Sequence, residues 1–274
     1  MKLKRLVTLT LAAVLTASLL TGCGAKEDAK PEADTKKIVV GATPVPHAEV
    51  LKFAKEKLKE KGIELEIKEF TDYVIPNKSV AEGQLDANYF QHVPYLTKFN
   101  TENGTKLVPI GDIHAEPLAA YSNKIKAATE IKDGATIAIP NDPSNGTRAL
   151  KLLQKQGLIE LKDPNGENQT EKDIVKNPKN LKIKLLDAAQ LPRILDEVDA
   201  AIINGNYALE AKLDTKAALF VEDVADIQKH VNVVVSREDN KDNPALKELV
   251  NVLKSEDAKK FLQEKYGTAV IPAK

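Results

Sequence analysis

KIVVGATPVPHAEVLKFAKEKLKEKGIELEIKEF, residues 37–70, decides the fold class. Lys37-Ile38-Val39-Val40-Gly41 is a short apolar run closed by Gly, the pattern of a buried strand. Ala42 to Pro46 reads as a loop. From His47 to Lys61 the apolar residues Val50, Leu51, Ala54 and Leu58 recur at helical spacing, and Gly62 is a stop signal. Ile63 to Phe70 then alternates Ile-Glu-Leu-Glu-Ile-Lys, as a half-buried strand does. Strand, helix and strand in succession make an α/β fold the expectation.

The same grammar continues along the chain. Ser79-Val80-Ala81-Glu82 has capping-box spacing and predicts a short helix starting there and ended by Gly83. Leu85-Asp86-Ala87 predicts a brief strand, with Asn88 to His92 at its end and in the loop beyond. Pro94 fits the first turn of a helix running through Phe99. Ala135–Ile139 predicts a strand, 140–145 (PNDPSN) a loop, and Gly146–Gln156 a helix stopped by Gly157. Leu181–Leu186 predicts a strand, Ala188–Glu197 a helix, and Val198–Ile203 a strand running into Asn204-Gly205-Asn206-Tyr207. That last unit echoes residues 85–92: a helix, then Leu/Val-Asp-Ala, then a strand ending near an Asn. The echo is short, but it fits two similar α/β lobes facing each other. Leu118–Ser122 and Val231–Ser236 read as extended connectors, Asn165–Asn180 as a polar surface excursion, and Pro244–Leu253 and Ser255–Tyr266 as helices.

The 274 residues suit one large domain or two smaller lobes. Forty basic residues balance forty acidic ones, so no electrostatic case exists for nucleic acid. The first segment looks like an export signal: a basic start (Lys2, Lys4, Arg5), an apolar run from Leu6 to Leu20, then small residues before Cys23. The run is short for a membrane span. Leu20-Thr21-Gly22-Cys23 resembles the bacterial lipobox, in which the Cys becomes a lipidated N-terminus; the other reading of Cys23 is a buried free thiol. Cys23 is the only Cys, so no intramolecular disulfide can form. Residues 1–22 are therefore expected to be a lipoprotein signal peptide. Without Lys2, Lys4 and Arg5 the 40 basic residues become 37, against 40 acidic, a net charge of −3. Residues 23–36 carry no large apolar side chain and are expected to be a lipidated flexible tether.

Arg148 is one of only four Arg, with Arg5, Arg193 and Arg237, and it follows a loop that opens a helix. A helix N-terminus offers free N–H groups, and a guanidinium adds a planar fork for a carboxylate. Arg148 is thus a clamp for a small anion, or an Arg paired with a nearby acid. Phe70, Tyr73, Tyr89, Phe90, Tyr95 and Phe99 hold half of the six Phe and six Tyr within thirty residues. Such a cluster lines a small-molecule pocket or packs between helix and sheet. The four histidines, His47, His92, His114 and His230, show no i, i+4 pair, so no metal site is expected. The chain has no G-x-S-x-G, no P-loop and no G-x-G-x-x-G, so no catalytic residues or cofactor are expected.

Asp72-Tyr73-Val74, Pro76-Asn77, Asp86-Ala87-Asn88 with Phe90-Gln91-His92, Pro94-Tyr95-Leu96, Ile139-Pro140-Asn141-Asp142-Pro143, Gln190-Leu191-Pro192-Arg193, and Asn204 with Tyr207-Ala208 occur in this order. Together they resemble the NlpA-type methionine-binding lipoproteins, substrate-binding subunits of a bacterial ABC importer, over nearly the whole folded part. The resemblance implies a two-lobed periplasmic-binding-protein-like α/β fold (type II) with the ligand cleft between lobes. Lobe 1 would take residues 37–117 and 231–274, and lobe 2 residues 118–230, with crossovers near Leu118–Ser122 and Lys229–Val231. It further implies that Arg148 clamps the ligand carboxylate and that Asn204 and Asn232 bond its backbone groups. Tyr73, Phe90, His92 and Tyr95 would surround a thioether side chain. Asn141 is a further candidate that could instead hold its turn. The implied ligand is L-methionine. D-methionine, a methionine-containing dipeptide or another small amino acid are alternatives in the same class. The implied partners are a permease and ATPase, and the implied protein is a monomer anchored by lipid on the extracytoplasmic face of the cell membrane. An extracytoplasmic enzyme using His92 as acid–base residue is the alternative of a different class; a surface-adhesion role is another.

Overall fold

A computed structural model describes residues 36–274; the expected signal peptide, Cys23 and the tether as far as Thr35 lie outside the described residues. β1 (Lys36–Ala42), α1 (Glu49–Lys59) and β2 (Ile63–Glu69) form the expected opening unit. The helical-period residues Val50, Leu51, Ala54 and Leu58 are all buried against the sheet. Burying each of the two leucines is worth roughly 1.5–3 kcal/mol. Pro44–Ala48, expected as loop up to Pro46 and helix from His47, makes an irregular helical turn that buries His47. Beyond α1, Gly62 takes φ 71°, a conformation that costs glycine nothing.

α2 (Ile75–Ala81) begins earlier than the expected Ser79. Asp72 Oδ1 accepts the N–H groups of Val74 (2.7 Å) and Ile75 (2.8 Å), and Pro76 occupies the first turn, so the start lies upstream. β3 (Ala87–His92) contains residues 88–92, which the sequence placed largely in a loop, and all six of its residues are buried. α3 (Val93–Asn103) and β4 (Leu107–Ala115) follow.

The chain then passes into β5 (Ala119–Tyr121) and β6 (Thr136–Pro140). α4 (Pro143–Lys155) starts three residues before the expected Gly146, because Asp142 caps it by accepting the Asn145 N–H at 2.8 Å. β7 (Glu160–Leu161) and β8 (Ile174–Lys176) make a small separate ribbon beside the polar excursion. β9 (Lys182–Leu186), a 3₁₀ helix at Ala188–Ile194 and β10 (Ala200–Ile203) come next. The expected α-helix over 188–197 is cut short by Pro192 within it. α5 (Gly205–Glu210), β11 (Phe220–Val221) and α6 (Val224–Ile227) lead to β12 (Val231–Arg237), and α7 (Pro244–Leu253), α8 (Glu256–Tyr266) and β13 (Ile271–Pro272) complete the chain.

Two sheets result. The first has the order β13-β4-β12-β3-β1-β2, the second β11-β5-β10-β6-β9. β3 is flanked by β1 and β12 and covered on both faces, so it lacks the alternation that marks a half-buried strand. The sheets repeat one plan: β2-β1-β3-β12-β4 matches β9-β6-β10-β5-β11, with the fourth strand antiparallel to the third in each. The match extends to single atoms. Asp86 Oδ2 accepts the Val39 N–H at 2.8 Å and Asp199 Oδ2 accepts the Thr136 N–H at 2.7 Å. The carbonyl of Asp86 accepts the Ser236 hydroxyl and that of Asp199 the Ser122 hydroxyl, both at 2.7 Å. The short Asp-Ala echo in the sequence marks these equivalent places.

Candidate ligand-binding site

The carboxyl ends of β3 and β10 meet at one small cavity, as expected where strands of open α/β sheets end. All seven residues proposed from sequence line it: Tyr73, Phe90, His92, Tyr95 and Asn232 from the first sheet and its helices, Arg148 and Asn204 from the second. Gln91, Glu116, Asn145, Gly205 and Asn206 join them, and the sequence reading had missed these. Asn145 lay inside a segment read as loop, and Glu116 ends β4 with no periodicity to mark it. The Asn-Gly-Asn run at 204–206 was the one available signal.

His92 closes β3 and caps α3. Its Nδ1 accepts the Tyr95 N–H at 3.2 Å, so Nε2 carries the proton and donates to Asn145 Oδ1 at 3.1 Å. Burial, reinforced by the nearby Arg148, pushes its pKa down to about 3, so the ring is neutral. Both nitrogens are engaged, which leaves His92 no free base for acid–base chemistry. Asn145 Oδ1 also accepts from Asn204 Nδ2 at 2.9 Å, while its own amide donates to the Asp142 carboxylate. Asn204 Oδ1 and Asn206 Nδ2 remain, both buried and both without a protein partner. A buried acceptor and a buried donor left unpaired in one cavity call for a polar ligand.

Arg148 differs from its sequence expectation. It stands in the second turn of α4, and its fork is already taken: Nε donates to Glu222 Oε1 at 2.7 Å, and Nη2 donates to Glu222 Oε2 and to the Glu116 carbonyl at 2.9 Å. Both readings of the sequence thus apply, since Arg148 is paired with an acid and also lines the cavity. Nη1 makes no hydrogen bond among the described residues and is the group free for a ligand. A larger cavity of ≈ 350 Å³ lies beyond Arg148 and shares only that residue with the site.

The aromatic wall spans the two sheets. The ring of Tyr73 lies 5.6 Å from those of Phe90 and Tyr95 and 5.0 Å from that of Tyr207, and its hydroxyl donates to Asn206 Oδ1 at 2.5 Å. Tyr95 donates to the Tyr73 carbonyl and Tyr207 to the Thr71 carbonyl, each at 3.1 Å. Tyr89 instead packs in the core of the first sheet. Asn141 donates to Asp187 Oδ1 at 2.6 Å and lines a separate groove, so it holds its turn.

Glu116 is a buried carboxylate. Burial raises its pKa, while His47, Arg148 and the Asn206 N–H act the other way. His114 Nε2 lies 2.7 Å and His47 Nε2 3.4 Å from Glu116 Oε1. Spacing along the chain gave no hint of this trio, whose ligand-type atoms lie within 4.8 Å of one another. Each ring nitrogen already has a protein partner: Thr43 and Asn232 for His47, Tyr89 and Glu116 for His114. The cluster therefore reads as a closed hydrogen-bond network. Gly205 is needed beside it, since a Cβ there would lie 2.6 Å from Glu116 Cβ.

The chain resembles known proteins over nearly all of its described residues. The family model described as NlpA lipoprotein matches residues 38–274. The "Probable D-methionine-binding lipoprotein MetQ" of Pasteurella multocida is 46% identical over 266 residues, 94% of each chain. A nutrient-binding protein from Burkholderia cenocepacia, solved bound to methionine, is 42% identical with a TM-score of 0.83, covering 86% of this chain and 100% of the other. An ABC transporter periplasmic substrate-binding protein from Coxiella burnetii is 44% identical with a TM-score of 0.81, again over 86% and 100%. With the family model spanning both sheets and every strand end that lines the cavity, the chain belongs to the NlpA lipoprotein family.

Proposed function

We propose that this protein is a substrate-binding lipoprotein that captures methionine between two lobes and delivers it to the permease of an ABC importer. One observation carries the reading: a single buried cavity presents a guanidinium, a carboxylate, an unpaired amide oxygen and an unpaired amide nitrogen beside an aromatic wall. That set complements a zwitterion with an apolar side chain. Arg148 Nη1 and Asn206 Nδ2 meet the carboxylate; Glu116 and Asn204 Oδ1 meet the ammonium. Tyr73, Phe90, His92 and Tyr95 enclose the thioether, and Asn232 braces the network from β12. Methionine as the ligand is carried over from the relatives, a D-methionine-binding lipoprotein and a nutrient-binding protein bound to methionine.

The cavity holds only ≈ 20 Å³, room for about one water. A ligand must therefore enter with the contacts from Tyr73 to Asn206 and from His92 to Asn145 released, and closure on it leaves the walls farther apart than they stand here. The moving lobes are residues 37–117 with 231–274 and residues 118–230, turning near Lys229–Val231 and near 116–118 rather than the expected Leu118–Ser122, because Ala119–Tyr121 already belongs to the second sheet as β5. The protein acts as a monomeric binding subunit, not an enzyme. The lipobox places the anchor on Cys23, with the folded part held on the extracytoplasmic face.

Calorimetry with L-methionine, D-methionine and methionine dipeptides tests the reading. Saturable binding of at least one methionine isomer, with thermal stabilisation, is expected. A panel in which no methionine compound binds would refute it.

A further inference from the structure

His47 and His114 stand behind the cavity wall. Neither lines the cavity, yet both aim Nε2 at the same oxygen of Glu116, at 3.4 and 2.7 Å. On their far sides both rings meet a hydroxyl: Thr43 Oγ1 lies 2.7 Å from His47 Nδ1, and Tyr89 OH contacts His114 Nδ1. Thr43, Tyr89 and His114 are fully buried, and His47 nearly so.

The hydrogen-bond bookkeeping fixes the proton positions. The Nε2 side of each ring faces only acceptors, the Glu116 carboxylate and, for His47, Asn232 Oδ1 at 3.3 Å. A neutral imidazole carries one proton, so it stands on Nε2 and Nδ1 accepts from the hydroxyl. Burial holds both rings neutral, with pKa values near 4 for His47 and 3 for His114. His114 thus presents its N–H to Glu116, while the His47 N–H meets Asn232 Oδ1 and lies 3.4 Å from the same Glu116 oxygen; neither neutral ring cancels its charge. Arg148 and the Asn206 N–H also act on Glu116, and a cation on the cavity side adds the remaining partner.

Resting on the methionine reading above, we propose that His47 and His114 are positioning residues that fix Glu116 for the ligand's ammonium and so make the protein select an α-amino acid over the same acid without its amino group. They act through Glu116 and do not touch the ligand. The selectivity is electrostatic: the donors hold the carboxylate where it can accept the ammonium, and a ligand lacking that group leaves a buried carboxylate unpaired.

The test measures the ratio of dissociation constants for 4-(methylthio)butanoate and methionine by calorimetry. The wild type is expected to prefer methionine by about 100-fold or more, and Glu116→Gln to lose most of that preference. His114→Met and His47→Met remove the donor and should lower the ratio about 10-fold or more, while His114→Gln keeps a donor and should hold it within about 3-fold. In the Glu116→Gln background His114→Met should change the ratio no further. An unchanged ratio in both Met variants, or an equal drop in the Glu116→Gln background, overturns the proposal. Loss of methionine binding by the wild type would instead overturn the reading it rests on, and the proposal with it. Nitrogen NMR of the wild-type protein gives a check independent of how the variants fold. Protonated Nε2 on both rings supports the proposal, and protonated Nδ1 on either overturns it.

Discussion

Arg148 grips Glu222 through two hydrogen bonds, and both side chains are buried. The pair ties α4 to the first passage between the sheets, because Glu222 Oε2 also accepts the Leu118 N–H at 3.1 Å and Arg148 donates to the Glu116 carbonyl. Removing one partner strands a buried charge. Glu222→Ala should therefore cost about 3–5 kcal/mol in urea unfolding. The double change Arg148→Met with Glu222→Leu should recover most of that stability yet bind no methionine. Equal loss of stability in the single and double variants would refute this account.

Asn204 offers an unpaired, buried Oδ1 to the cavity while its Nδ2 serves Asn145. Asn204→Ala should weaken methionine binding by about 1–3 kcal/mol, roughly 5- to 150-fold, with a smaller cost in stability of about 1 kcal/mol. Calorimetry and thermal melts on the same sample separate the two. Unchanged affinity would mean that the orphan oxygen faces no ligand group.

Gly205→Ala tests the packing against Glu116. The added Cβ would lie 2.6 Å from Glu116 Cβ and 2.9 Å from its Oε2, so the carboxylate must move. The expected cost is about 1–3 kcal/mol of stability together with a loss of ligand affinity. Full affinity in this variant would count against Glu116 as the ammonium partner.

His47, His92 and His114 are buried and His230 partly so, and all four are neutral, with pKa values near 4 for His47, 3 for His92, 3 for His114 and 2 for His230. In the unfolded chain they titrate near 6.5. Below that pH the unfolded state takes up protons that the folded state refuses. The stability they contribute is complete above about pH 6.5 and falls as pH drops, by up to about 1.4 kcal/mol per pH unit for each ring. Glu116 and Asp142, raised by burial, oppose this with at most two protons against four. Urea unfolding should therefore show a net loss of stability from pH 7 to pH 5. A flat profile would contradict neutral, buried histidines.

Asp86→Ala and Asp199→Ala should cost nearly the same, about 1–3 kcal/mol each, because each leaves one of the matching strands β1 and β6 with an unpaired N–H. Chemical denaturation of the two variants checks the equivalence, and a difference well beyond 1 kcal/mol would show that the two sheets do not share one energetic plan.

The sequence by itself determined the α/β class, most element positions and seven of the twelve residues that line the cavity. Hydrophobic period, Gly stops and Pro starts are local signals, and family motifs carry side-chain identity directly. The start of α2 at Ile75 escaped it because the capping-box spacing at Ser79 marked a later start, and that of α4 at Pro143 because the capping Asp142 stood in a stretch read as loop. β3 escaped it because a strand covered on both faces has no alternation to read. Only the tertiary structure decided what each polar group faces. It gave the Arg148 fork to Glu222, made Asn145 the link between His92 and Asn204, and brought His47 to Glu116. Those relations join residues tens of positions apart, and pairing a buried polar group depends on where the folded chain places its partner, which no local pattern records.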